Sequence, residues 1–159
     1  MHRIRLTAAL ALALLVVAPR AASADITGFL GFTTSPVNRT TAGFGVGMSL
    51  VIAGFEFEYS SAQEKEIDGA TSLRTGMFNG LLQTPTSGFQ LYFTVGGGVY
   101  RERWRDVQET NFGTNIGGGV KLHLAGPLRA RFDFRIFNLR GEALYPHPKR
   151  FYAGLNVAF

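Results

Sequence analysis

Charged side chains recur at every second position in two segments of this sequence. Glu56 and Glu58 alternate with phenylalanines, and the segment from Arg129 to Arg135 carries three arginines and one aspartate at the same spacing. Carboxylates and guanidiniums that are buried together must pair, because an unpaired buried charge is costly. Such a cluster could hold a fold together or line a path for ions. The candidate charge cluster comprises Glu56, Glu58, Arg74, Lys121, Arg129, Arg131, Asp133 and Arg135.

Other residue types that support catalysis or metal binding are sparse. The chain has no cysteine, which excludes disulfides, cysteine-ligated zinc, a thiol nucleophile and an acyl anchor. His123 is followed by Leu124, and His147 lies between two prolines, so neither histidine stands beside a serine. Two separated histidines also make no cluster of metal ligands. We therefore expect no enzymatic activity, no metal and no cofactor.

A β-strand explains the spacing of the charges better than a helix does. From Leu128 to Ile136 the apolar residues occupy one parity and the charged residues the other. A strand separates such sets onto opposite faces, whereas a helix would scatter the charges around its axis. The same alternation recurs along the chain and predicts eight strands. Between Thr71 and Leu82 the apolar parity changes, so we expect a β-bulge there.

Short and long connections alternate between these predicted strands. Short turns are predicted near residues 52–54, 84–87 and 125–127, and longer polar segments near 35–40, 61–70, 102–111 and 139–149. This alternation is typical of an antiparallel barrel that spans a membrane with short turns at one end and longer loops at the other. The sequence thus predicts an all-β fold, an eight-stranded antiparallel up-and-down transmembrane β-barrel.

The first residues have the three parts of a secretory signal peptide. Basic residues precede an apolar run from Leu6 to Ala18, which is shorter than the roughly 20 residues of a spanning helix. A small-residue cleavage site ends at Ala24, before Asp25. We predict a signal peptide at residues 1–24 and a barrel domain at 25–159. Removal of residues 1–24 takes away three arginines and no acid, so the formal net charge falls from +5 to +2 and argues against a nucleic-acid partner.

Alternation alone does not decide which face of the barrel is inside. Eleven of the 14 phenylalanines lie on the apolar stripes, and the opposite face is rich in glycine. A narrow eight-stranded lumen suits small inward residues, so we expect the apolar face to contact lipid. A soluble periplasmic lipid-binding barrel, with its apolar face inside, is the alternative. In eight strands the third and seventh lie on opposite walls, which predicts ion pairs between the glutamates and the arginines of the charge cluster.

The C-terminal residues carry a family resemblance. Phe151, Ala153, Leu155, Val157 and Phe159 alternate up to a terminal phenylalanine. This pattern resembles the C-terminal signature of bacterial outer-membrane barrels, which their assembly machinery reads, and the whole pattern is similar to the small outer-membrane protein A/X-type barrel family. The resemblance implies a monomer in the bacterial outer membrane with a structural or surface-interaction role. A narrow pore for ions or small solutes is the alternative, in which the charge cluster would act as a gate rather than a plug.

Cations near the predicted outer loops complete the candidate sites. At that level of the membrane, arginine can grip the phosphates of lipopolysaccharide with two hydrogen bonds. Ordinary solvated loop charge, balanced by nearby acids, is the alternative. The expected outer-rim contacts are Arg101, Arg103, Arg105, Arg140, Lys149 and Arg150.

Overall fold

The computed structural model describes residues 23–64, 69–85, 88–104 and 107–159. Most of the predicted signal peptide, residues 1–22, lies outside the described residues, so this assignment stays a prediction. Within the described residues, no helix is long and apolar enough to cross a membrane.

Eight antiparallel strands follow one another in chain order and close into a barrel across the described part of the chain. The predicted fold is therefore confirmed. Closure pairs the first strand with the last, and Ala24 and Phe159 exchange two backbone hydrogen bonds of 2.9 Å. Every strand has two hydrogen-bonded neighbours, which a chain surrounded by lipid requires. The strands are β1 (Ser23–Thr34), β2 (Arg39–Leu50), β3 (Ala53–Ala62), β4 (Ser72–Gln83), β5 (Phe89–Trp104), β6 (Val107–Ala125), β7 (Leu128–Leu139) and β8 (Lys149–Ala158).

The connections distinguish the two ends of the barrel. Val51 and Ile52 join β2 to β3, and Gly126 and Pro127 join β6 to β7, where Gly126 has a φ of +55°. These short turns lie at the end that also holds the chain termini, which we call the periplasmic end. Longer connections lie at the opposite end, which we call the outer end; their described residues are 63–64, 69–71 and 140–148.

One predicted loop is wrong. Residues 102–111 were expected to form a long polar loop, but β5 continues to Trp104 and β6 begins at Val107, so residues 105–106 alone connect them. The ladder persists through the polar segment, with Glu102 opposite Glu109. Because spanning a membrane takes only about 9–11 residues per strand, the outer part of this hairpin extends beyond the lipid, where polar residues are favourable on both faces.

The apolar face of the sheet points away from the lumen. All 14 phenylalanines lie among the described residues, and 12 of them are exposed on the outer surface; Phe29 and Phe137 are the two buried ones. Valine, leucine and isoleucine side chains complete this surface. A soluble barrel would expose its polar face instead, so the periplasmic lipid-binding alternative is wrong.

The fourth strand contains no bulge. Its register is continuous with β3 on one side and β5 on the other. Met77 is fully buried while its neighbour Phe78 is 60% exposed, so one parity faces the lumen throughout. The predicted inward position of Arg74 is therefore wrong, because Arg74 shares the outward parity of Phe78 and is exposed.

The inward apolar residues of β4 explain the ambiguous pattern of that strand. They belong to an apolar layer inside the lumen, toward the outer end, which includes residues of three other strands, β3, β5 and β7. A strand that meets lipid on one side and this layer on the other shows apolar residues at both parities. The apolar layer consists of Ala62, Leu73, Met77, Tyr100, Phe137 and Leu139.

Candidate functional site

A carboxylate at the centre of the lumen joins two arginines of the opposite wall. Glu56 on β3 receives hydrogen bonds from both terminal nitrogens of the Arg131 guanidinium, with Nη2 lying 3.1 Å from Oε1. Arg135, four residues further along β7, places its Nη2 3.0 Å from the same Oε1. All three side chains are buried. The third and seventh strands thus lie on opposite walls of the barrel, and direct ion pairs connect them across the lumen.

Asp133 and Tyr92 extend this cluster. Asp133 lies between the two arginines in sequence, and its Oδ1 is 2.9 Å from Arg135 Nε. The Tyr92 hydroxyl donates to Asp133 Oδ2 at 2.5 Å and accepts from Arg131 Nε at 2.9 Å. The Arg131 guanidinium also lies 4.7 Å from the Tyr92 ring centroid, a favourable cation–π distance. The hydroxyl therefore bridges an acid and a base that belong to the same strand.

The close approach of Tyr92 depends on a glycine of the next strand. Gly119 is paired with Tyr92, and a Cβ at position 119 would lie 2.5 Å from the Tyr92 hydroxyl oxygen and also collide with the Phe132 carbonyl. No larger residue fits there without moving the tyrosine. Glycine on the lumen face therefore makes room for the long polar side chains of the network.

Two further ion pairs flank the centre. Toward the outer end, Arg150 on β8 pairs with Glu58 and donates to the Ser60 hydroxyl at 2.8 Å. Toward the periplasmic end, Lys121 Nζ lies 2.7 Å from Asp25 Oδ2. Arg135 links the outer pair to the centre, since its Nη2 is 3.1 Å from Glu58 Oε2.

The charges in this part of the lumen balance. Among the described residues, four cations and four carboxylates make the buried ion pairs. Each charge has at least one opposite partner, as burial in so narrow a space requires. We call this set the lumen network: Asp25, Glu56, Glu58, Lys121, Arg131, Asp133, Arg135 and Arg150.

The structure places the eight predicted cluster residues in three environments. Six of them belong to the lumen network, Arg74 lies on the outer wall, and Arg129 is half-buried at the periplasmic mouth. There Arg129 lines a small cavity of about 50 Å³ together with Asp25 and Gln90.

Sequence reasoning did not place three members of this site in the charge cluster: Asp25, Tyr92 and Arg150. All three occupy the parity opposite to an apolar stripe, since Asp25 precedes Ile26 and Arg150 precedes Phe151. The alternation that located Arg131 thus carried the signal for these residues as well. The expected contact of Arg150 with lipopolysaccharide is wrong, because the side chain is 1% exposed and points into the lumen.

A second polar cluster closes the outer end. Arg39 donates to the Thr71 carbonyl, the Thr71 hydroxyl lies 2.5 Å from Glu102 Oε1, and the Leu144 amide donates to Glu102 Oε2 at 3.1 Å. The Tyr100 hydroxyl donates to the Arg140 carbonyl at 2.6 Å, which also holds the last loop down. We call Arg39, Thr71 and Glu102 the outer cap; it ties loop segments to the rim above the apolar layer.

The remaining predicted rim cations are exposed. Arg101 and Arg103 lie on the outer wall of β5, Arg140 lies in the last loop and Lys149 begins β8. Arg105 lies outside the described residues. The positions of these side chains allow contact with lipid headgroups or solvent.

The two histidines of the described chain lie apart and exposed. His123 Nε2 is 3.0 Å from the Gly126 carbonyl at a periplasmic turn, and His147 lies in the last loop. No group of three or more histidine, aspartate or glutamate residues in the described ranges is arranged to hold a metal ion.

The closed barrel, its apolar outer belt and its charged interior together define a transmembrane β-barrel of the outer-membrane type with a lumen filled by side chains. No protein-family model and no curated protein sequence matches this chain.

Solved structures of small outer-membrane barrels share this fold. The N-terminal β-barrel domain of Pseudomonas aeruginosa OprF superimposes with a TM-score of 0.68 at 15% identity, over 86% of this chain and 97% of that one. Neisserial surface protein A gives a TM-score of 0.68 at 12% identity, over 87% and 97%. The outer membrane enzyme PagL gives 0.55 at 12% identity, over 84% and 98%. At these identities the similarity establishes the fold.

Proposed function

We propose that this protein is a non-conducting barrel of the outer membrane that has a structural or surface-interaction role and acts through its outer end. The filling of the lumen carries this proposal. The lumen network, the apolar layer and the outer cap follow one another along the barrel axis, and each contains fully buried side chains. A continuous water path would need to cross all three. A barrel without a water path through its lumen can act on its surroundings only through its exposed surfaces.

Conductance in a planar bilayer tests the proposal against a narrow pore. We expect no current steps from wild-type protein whose insertion is shown independently by resistance to protease. Reproducible steps that scale with the amount of inserted protein would favour the pore, and the lumen network would then act as its gate.

A role without catalysis is part of the proposal. PagL is an outer membrane enzyme of the same fold, so the fold alone does not decide this point. The support comes from the residues, since His123 and His147 are far apart in the chain and neither adjoins a serine. Mass spectrometry of lipid A from cells with and without the protein tests it. Identical masses are expected, and a lost or added acyl chain would overturn the non-enzymatic role.

We also propose that the outer rim contacts lipopolysaccharide. Arg101, Arg103, Arg140 and Lys149 are exposed at the outer end, where anionic lipid headgroups lie. Arg105 is included among these proposed contacts because it directly follows the outer end of β5 in the sequence. Reversal of charge at Arg103 and Arg105 is expected to weaken lipopolysaccharide binding, measured by co-purification; unchanged binding would count against the contact.

The C-terminal strand is proposed as the signal for the barrel assembly machinery. Phe151, Ala153, Leu155, Val157 and Phe159 are all exposed on the outer face of the sheet, where another protein could reach them. Phe159→Ala is expected to lower the amount of assembled barrel in the outer membrane, and unchanged levels would contradict the proposal. We expect the assembled protein to be a monomer.

A further inference from the structure

Two arginines lie side by side on the outer wall near the outer end. Arg74 of β4 and Arg101 of β5 are register partners, and both side chains are exposed on the face opposite to the lumen. Side chains that are directly opposite on antiparallel strands have Cβ atoms only about 4.5–5.5 Å apart, and like charges in this position destabilise the pair. An anion held between the two guanidiniums would remove this repulsion.

Among the described residues, the neighbouring side chains do not supply that anion. On this face Ser61 is paired with Arg74, and Thr110 is paired with Arg101 and accepts a hydrogen bond of 3.3 Å from its Nε. Within the described residues, neither arginine forms an ion pair. Glu102, the nearest acid in sequence, has the opposite parity and is buried in the outer cap.

A third cation strengthens the positive charge of this surface. Arg103 is the next outward-facing residue of β5, and its register partners Ser72 and Gln108 are uncharged. The outer wall of β4 and β5 therefore presents three arginines without a carboxylate among these paired neighbours. Arginine near a membrane interface costs far less than at the midplane, which fits this position at the rim.

An apolar groove begins directly below the arginine pair. Gly76 is the next outward-facing residue of β4 toward the membrane centre, and a Cβ there would approach no atom closer than Val99 Cγ2 at 3.9 Å. A surface cavity of about 290 Å³ lies at this glycine. Its wall includes Tyr59, Arg74, Gly76, Val99, Arg101 and Thr110.

We propose that this surface is a binding site for a phosphate monoester of a lipid A-type glycolipid, with the phosphate between Arg74 and Arg101 and an acyl chain along the groove at Gly76. The site is amphipathic in the order that such a lipid requires, with cations toward the outer end and apolar surface toward the membrane centre. Two guanidiniums match a dianionic phosphate with paired hydrogen bonds. A soluble anion would leave the groove empty.

This inference rests on the proposed contact of the outer rim with lipopolysaccharide and narrows it to one site. It also adds Arg74, which sequence reasoning had placed in the lumen. The two proposals differ in the residues on which binding depends, so variants can separate them.

The test uses the full-length protein purified in detergent, with lipid A carrying two phosphates as the probe and native mass spectrometry as the readout. Arg74→Gln/Arg101→Gln is expected to reduce lipid retention about tenfold or more, because charge-assisted hydrogen bonds are lost. Gly76→Val keeps both arginines and fills the groove, so it should also reduce retention. Gly80→Val is its matched control on the outer face of the same strand, and it should bind as wild type does. Heat-modifiable migration on a gel verifies that each variant is folded.

Several results would overturn the site. One such result is that the double-arginine variant and Gly76→Val both retain lipid A as well as the wild-type protein does. Loss confined to Arg103→Glu would contradict this site while leaving the broader rim contact intact. Equal retention of phosphatidylglycerol or of fully dephosphorylated lipid A would show that the phosphate monoester is not recognised. Displacement of the lipid by an equal concentration of inorganic phosphate would show that the groove contributes nothing.

Discussion

Glu56 and Arg131 lie on opposite walls of the barrel, and their side chains meet in a two-point ion pair across the lumen. The pair joins β3 to β7, which are not adjacent in the sheet. It therefore adds a cross-link through the barrel interior to the hydrogen-bonded ladder around the wall. Because both groups are buried, each depends on the other to compensate its lost hydration.

Removal of one partner should be more harmful than removal of both charges. Arg131→Met leaves Glu56 with fewer partners in a buried site and is expected to lower the free energy of unfolding by about 3–5 kcal/mol. Glu56→Gln combined with Arg131→Met should recover part of this loss. Urea unfolding of the lipid-reconstituted barrel measures both values. The control is Arg140→Met at an exposed loop position, which should change stability little; equal unfolding midpoints for all variants would contradict the structural role of the pair.

The close contact between Tyr92 and Gly119 can be tested by adding a side chain at position 119. Gly119→Ala introduces a Cβ that collides with the tyrosine hydroxyl and with the Phe132 carbonyl. Overpacking of this kind typically costs about 1–3 kcal/mol, so a similar loss of stability is expected. Gly28→Ala is the matched control, because a Cβ at Gly28 meets no atom within 4 Å. The prediction fails if the two substitutions have the same effect in the same unfolding assay.

The register of β4 can be tested by labelling single cysteines. Because the chain contains no cysteine, each introduced thiol gives an unambiguous signal. Phe78→Cys should react readily with a membrane-soluble maleimide and Met77→Cys should react at least about tenfold more slowly, since only the outward parity faces lipid. Gly80→Cys is expected to behave like Phe78→Cys. Reactivity that changes parity between positions 73 and 82 would instead support the bulge expected from the sequence.

The outer cap should govern the mobility of the last loop. Glu102→Ala removes the acceptor of the Leu144 amide and of the Thr71 hydroxyl, at a cost of about 1–3 kcal/mol for a buried donor left unsatisfied. We expect proteolysis within residues 140–148 to become several-fold faster while the barrel strands stay resistant. Glu142→Ala, at an exposed position of the same loop, is the control. Cleavage at the wild-type rate would show that the cap does not hold the loop.

Strict alternation made most of the fold predictable from the sequence. From Leu128 to Ile136 of β7 the apolar and charged residues never exchange parity, so the directions of Arg131, Asp133 and Arg135 followed from the strand period alone. The opposition of β3 and β7 then followed from the number of strands. No knowledge of loops or partners was needed, because the lipid and the narrow lumen each select one type of side chain.

The predictions for β4 and for the β5–β6 hairpin were wrong. In both places a face of the strand contacts something other than lipid on the outside or polar side chains in the lumen. On β4 the apolar layer places Leu73 and Met77 inside, so both faces are apolar and the pattern loses its contrast. Without this contrast the pattern does not reveal that Arg74 faces outward, where the rim tolerates a charge. The hairpin beyond the membrane has the polar composition of a loop, so its extension to Trp104 could not be inferred from composition.

The chain forms a closed barrel, and we expect that barrel to lie in the outer membrane. Both points are checked together by gel migration of the protein from an outer-membrane fraction, with and without boiling. We expect the protein to partition with the outer membrane and to migrate faster before boiling than after it, because the closed ladder of eight strands resists detergent until heated. Recovery from the soluble periplasm, with the same migration boiled and unboiled, would contradict it.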